Sequence, residues 1–169
     1  MPDCRPPVEI QLPELGLKPI EVSLKWKGPK GPVLTGDDTQ FALVIHNTDP
    51  DNRVQGSAQL RGLLTSPYAS QGANPSNEVS FDVGPGQTAE FRVPDHWMFV
   101  EGKFTWVLGV LIANHRSKTT EHPLASFTVF ERSTYNGQTR SSWSNLLISG
   151  TAAASSVLAA VLGFVILFR

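Results

Sequence analysis

A single cysteine, Cys4, stands in a chain of 169 residues, so no intrachain disulfide can form. That usage fits a reducing compartment. The four histidines, His46, His96, His115 and His122, never fall two or four residues from one another or from the cysteine, which removes any zinc-ligand spacing. No serine occupies a Gly-x-Ser-x-Gly elbow, and no glycine-rich loop is arranged to cradle a phosphate. The net charge is −1 at pH 7, which gives no field to draw nucleic acid to the chain. These absences exclude most catalytic and nucleic-acid readings. The expectation is a protein that is not an enzyme, holds no cofactor and no metal, and binds no nucleic acid.

Two further absences concern compartment. The N-terminus, MPDCRPPVEI, lacks the apolar run of a secretion signal, and Pro2, Pro6 and Pro7 break any helix there. No asparagine sits in an N-glycosylation acceptor context, because Asn74-Pro75-Ser76 is excluded by its proline.

The last absence is of charge. None occurs from Ser141 to Phe168, and within that stretch Leu146–Phe168 reads LLISGTAAASSVLAAVLGFVILF. As a helix it spans roughly 34 Å, enough for a hydrocarbon core of about 30 Å. Twelve of its residues are Leu, Ile, Val or Phe, supplying on the order of −4 to −7 kcal/mol toward insertion, with Ser149, Thr151, Ser155 and Ser156 opposing. A buried core helix is the competing reading, but such helices carry a polar face and this segment has no charge. A GPI-attachment signal also ends in an apolar tail, yet it needs a secretion signal and small residues at a cleavage site. The expectation is therefore one transmembrane helix over 146–168 in a tail-anchored, single-pass protein. Its body would be cytosolic, on the endoplasmic reticulum or the mitochondrial outer membrane. Arg132 and Arg140 before the span, against Arg169 after it, mildly favour that orientation. Ala152, Ser156 and Ala160 form one stripe of small residues on the helix, and Ser155, Ala159 and Gly163 the next. Small-xxx-small spacing allows close helix packing, as in a homodimer or partner contact through the membrane; the competing reading is an Ala-rich span whose spacing is accidental.

What is present in the body is alternation. Val22, Leu24 and Trp26 alternate with Ser23, Lys25 and Lys27; Phe41, Leu43 and Ile45 follow before the turn Asn47–Asn52. Ala58, Leu60, Gly62 and Leu64 point one way, and Val79, Phe81 and Val83 precede the turn Gly84-Pro85-Gly86-Gln87. Ala89, Phe91 and Val93 alternate again, Phe104–Ile112 is apolar on both faces, and Leu124–Phe130 closes the series. About seven strands at such spacing predict an all-β, antiparallel, immunoglobulin-like sandwich over 19–131. Residues 1–18 read as an extended N-terminal segment and 132–145 as a flexible juxtamembrane linker. Trp26, Phe91, Trp106 and Val110 are expected in the core with the other inward residues.

The segments FALVIHNTDPDNRV, FDVGPGQTAEFRV and EGKFTWVLGVLI resemble immunoglobulin-like modules of the CARDB and adhesion-associated type. The similarity covers roughly Thr39 to Glu131. More distantly, the layout of sandwich, linker and C-terminal anchor is similar to major-sperm-protein domains on tail-anchored contact-site proteins, which bind acidic-aromatic peptides on a basic face. Here the basic residues of the central strands, Arg53 and Arg61, are sparse.

The resemblance implies a protein-binding or tethering role. The alternative is a surface or envelope adhesion module with its body on the non-cytosolic side. Candidate partner-binding residues are Trp97, Met98 and Phe99, in a connection rich in large apolar side chains, and Tyr68, in the long loop Thr65–Asn77. Folding back of Trp97 and Phe99 to plug the sandwich is the competing reading. Asp37-Asp38 and Asp49–Asn52 could share a calcium ion if both lay at one end, although Asp and Asn also build turns unaided.

Overall fold

The computed structural model describes residues 1–12, 15–65 and 76–139. Within them lie twelve strands: β1 (Asp3–Cys4), β2 (Val8–Ile10), β3 (Ile20–Trp26), β4 (Val33–Leu34), β5 (Asp38–Thr39), β6 (Phe41–Asn47), β7 (Val54–Thr65), β8 (Ser76–Val83), β9 (Thr88–Arg92), β10 (His96–Trp97), β11 (Gly102–Ala113) and β12 (Arg116–Phe130). The chain divides into two units, Met1–Glu131 and the residues from Arg132 onward. The first is all-β. In the second, residues 132–139 form a short helix, α1, where an irregular tether is expected. Thr139 Oγ1 donates to the Tyr135 carbonyl one turn back, at 2.9 Å.

One sheet has the order β2-β3-β6-β9 and the other β1-β12-β11-β7-β8, with β4 also on β12. Every pairing is antiparallel except that of β4 with β12. The alternation in the sequence explains the layering. Val22, Leu24, Leu43 and Ile45 from one sheet and Ala58, Leu60, Phe81, Phe104, Trp106, Leu108 and Phe127 from the other are buried in one apolar cluster. Phe41 meets Phe127 across the layers at 6.0 Å between ring centroids, and Phe81 meets Phe91 at 6.4 Å.

Three expected core residues are only partly buried. Val110 is half-buried because the register shifts between Leu108 and Val110, so that Leu111 and Ala113 take the inward positions. Gly109 is the extra residue opposite β7, and such a bulge reverses the side-chain phase of the strand beyond it. Trp26 is half-buried at its strand end, its indole over Gly28 and its Nε1 donating to the Pro29 carbonyl at 3.0 Å. Phe91 is half-buried because β9 is an edge strand.

The N-terminal segment joins both sheets. β1 pairs with β12 and β2 with β3, and the crossing falls at Pro6 and Pro7, which have no N–H to place in a ladder. The two ends of the sandwich differ. The turn end carries Thr48–Arg53, Gly84–Gln87 and Asn114–His115. The exit end carries the connections around β4, β5 and β10, and there β12 stops at Phe130 beside Leu34.

Candidate functional site: an aromatic end and a free strand edge

At the exit end, β10 pairs with β5, matching His96 to Thr39 and Trp97 to Asp38. Met98 N donates to the Asp37 carbonyl at 2.9 Å, and Gly36 N to the Met98 carbonyl at 2.6 Å. This short ribbon imposes strand alternation on the connection. Met98 points inward at 3% exposure, whereas Trp97 is 59% and Phe99 51% exposed. The two rings lie 6.4 Å apart. Of the four predicted partner-binding residues, two are therefore presented to solvent, and Met98 alone plugs the end of the core. Tyr68 lies outside the described residues, as do Ala152, Ser155, Ser156, Ala159, Ala160, Gly163 and the whole 146–168 segment. Among the described residues no helix is long and apolar enough to cross a membrane.

Leu63 and Phe130 are also exposed, and both lie toward the same end. Composition alone gave no sign of them, because their alternation reads like that of any strand. His96, in the ribbon itself, has its ring 6.3 Å from Phe104 and 6.4 Å from Trp106. Burial lowers its pKa, against the opposing pull of Asp38.

The second feature is the outer edge of β9. Val93 N donates to the Phe41 carbonyl and Asn47 N to the Gln87 carbonyl. By antiparallel parity, Gln87, Ala89, Phe91 and Val93 bond inward to β6, which turns the main-chain groups of Thr88, Glu90 and Arg92 outward. Among the described residues no strand pairs beyond them. A shallow depression of about 360 Å³ lies on the outer face of the same sheet, reaching from Lys27 and Gln40 across Ala42 to Glu90, Arg92 and Asp95 at this edge. Glu90 accepts from Lys25 at 2.8 Å and also pairs with Lys27. Those two ammonium groups hold its carboxyl down to about 2. Lys25 of β3 and Lys27 just beyond it are thus answered by β9 of the same sheet, a pairing between strands that spacing along the chain does not display.

The carboxylates do not assemble a cation site. Asp37-Asp38 lies at the exit end and Asp49 at the turn end, so the two loops cannot share an ion. Asp37 Oδ2 accepts from Leu34 N at 2.8 Å. Asp49 accepts from the backbone N–H groups of Asp51, Lys18 and Asn52, which lower its pKa to about 2. Among the described residues no three His, Cys, Asp or Glu side chains come together as metal ligands. No protein-family model matches the chain, and no curated protein matches it.

Proposed function

We propose that this chain is a non-enzymatic, tail-anchored membrane protein. Residues 146–168 lie in the bilayer, and an immunoglobulin-like sandwich in the cytosol binds or tethers a protein partner. The strand order supports the immunoglobulin-like reading. β3, β6 and β9 lie in one sheet against β12, β11, β7 and β8 in the other, with connections that cross between sheets in Greek-key fashion.

The observation that carries partner binding is the outer edge of β9. Outward main-chain groups at Thr88, Glu90 and Arg92, beside a depression able to take side chains, suit an extended segment that adds as a further strand. Backbone pairing would supply affinity, and the Lys27, Glu90 and Asp95 surroundings would select polar or charged side chains. Exposed charges on the edge meanwhile discourage indiscriminate pairing.

Two measurements test this reading. A glycosylation acceptor appended after Arg169, with an epitope at Met1, reports topology: a modified C-terminus and a protease-accessible N-terminus are expected. A photo-crosslinking residue at Arg92 in the full chain should then capture a discrete cytosolic protein. Glu90→Pro, which removes an outward N–H and leaves the β6 ladder intact, should abolish that capture. Capture that survives Glu90→Pro, or a protected N-terminus, defeats the reading.

A further inference from the structure

The large apolar side chains left exposed are not spread evenly. Six are exposed among the described residues: Met1, Leu63, Trp97, Phe99, Ile112 and Phe130. Leu63, Trp97, Phe99 and Phe130 lie toward the exit end, which therefore holds every exposed aromatic of the six. The chain leaves the sandwich at that same end. Phe130 is paired with Leu34, Thr35 N donates to the Phe130 carbonyl at 2.9 Å, and the next connection holds Met98 between its two exposed neighbours.

We infer that the exit end rests on the bilayer, with the Trp97 and Phe99 side chains in the headgroup–acyl boundary. This inference depends on the tail-anchored reading above. It adds an orientation: strands upright on the membrane, the β9 edge facing sideways, and the turn end farthest from the lipid.

Three considerations choose lipid as the occupant. The first is tether length. Fifteen residues, 131–145, separate Phe130 from the expected span. Eight of them are helical, covering about 12 Å, and the other seven reach at most about 25 Å. The exit end is held within a short radius of the surface, so its local concentration there is high without any affinity of its own. The second is area. Trp97 and Phe99 at these exposures present on the order of 250 Å², well below the roughly 800 Å² per partner of a stable protein interface. Two protruding rings suit insertion into a fluid surface better than docking on a flat one. The third is chemistry. An indole has an apolar body and one N–H, the combination that favours the membrane–water interface. The segment that carries the rings has charges of both signs along the chain, Asp95 and Glu101 with Arg92 and Lys103. Contact therefore rests on apolar insertion and does not require anionic lipid.

The test uses the full chain in neutral phosphatidylcholine vesicles with Cys4→Ser. An environment-sensitive fluorophore is placed on Glu101→Cys at the exit end or on Asp51→Cys at the turn end. The 101 label should shift to the blue and be quenched by brominated acyl chains, while the 51 label stays solvent-like. Replacing Trp97 and Phe99 together by Ser should return the 101 label to its solvent-like emission without releasing the chain to alkaline extraction. A solvent-like 101 label on a chain that resists extraction overturns this inference and leaves the tail reading standing. A solvent-like label on an extractable chain ends both. Lipid quenching on an extractable chain ends the tail reading and, with it, the inferred tethered orientation. A blue shift that ignores lipid bromination but grows with protein density assigns the rings to a second copy, and overturns the inference.

Discussion

At the turn end of the sandwich, polar side chains do the work of closure; at the exit end, apolar ones do. Asn47 is fully buried, and its Nδ2 donates to the Asn52 carbonyl at 2.7 Å and the Gly84 carbonyl at 3.1 Å while its Oδ1 accepts from Asp49 N at 3.1 Å. Asn114 ties the β11–β12 hairpin to β7 by accepting from Gln55 N at 2.9 Å. These bonds tie together turns that lie far apart along the chain, Asn47 to Gly84 and Asn114 to Gln55, and so spend the polar groups of this end on the fold itself. At the exit end Met98 fills its connection beside buried Val33, Val93 and Phe104, and the residues on either side of it are left to the surroundings. An end that spends its polar groups on itself is structural. An end that leaves aromatic rings in water is the one inferred above to make a contact outside the domain.

The largest effect should come from Asn47→Ala. It leaves several buried main-chain groups without partners, at a cost of about 3 kcal/mol, to be read as a lower midpoint in urea denaturation. Met98→Ala, the corresponding change at the exit end, should cost about 2–3 kcal/mol through an unfilled cavity. If the Met98 variant proves as stable as wild type, the ribbon does not hold that side chain in the core.

Acid titration separates the turn end from the β9 edge by mechanism. Asp49 and Glu90 are both held near 2 in the folded protein, below their ordinary values of 3.8 and 4.5. Each contributes stability above its unfolded pKa and loses it as pH falls toward 2. The Glu90 share comes from exposed lysines and should shrink with added salt. The Asp49 share comes from backbone N–H groups and should persist until Asp49→Asn removes it. Thermal melts between pH 5 and pH 2, at low and high salt, measure both.

Smaller changes sharpen the contrast. Asn114 and His115 both have positive φ, at 47° and 69°, in the two-residue hairpin turn. Glycine suits the second position of such a turn, so His115→Gly should raise stability by about 0.5 kcal/mol. Trp97→Ser and Phe99→Ser should each move stability by no more than about 0.5 kcal/mol, although the lipid contact is lost. A larger destabilisation would place those rings in the fold and not on its surface.

The long strands were legible because alternation and turn residues agreed. Val22 to Trp26, Phe41 to Ile45 and Val79 to Val83 occupy the strands their patterns predict, and Gly84-Pro85-Gly86-Gln87 makes its turn with Gly86 at φ 62°. Val110 was misplaced because one glycine bulge reverses a phase that periodicity assumes constant. β1, β4, β5 and β10 are two residues each and exist only through their partners, so no local pattern announces them. Trp97 and Phe99 stood out by residue type, but a ring that plugs a sandwich and a ring that protrudes from it have the same sequence. The decision lay in the pairing of β10 with β5, which places Trp97 out, Met98 in and Phe99 out.

The grip on the end of β12 has a mechanical consequence. Val129 is paired with Gly102 of β11 on one side and with Val33 of β4 on the other, and β1 holds the same strand near Ala125. A pull entering at residue 131 along the strand axis loads these hydrogen bonds together, in shear, whereas a strand held on one side could peel bond by bond. The short parallel pairing of β4 thus acts as a brake at the point where tension from a tether would enter the domain.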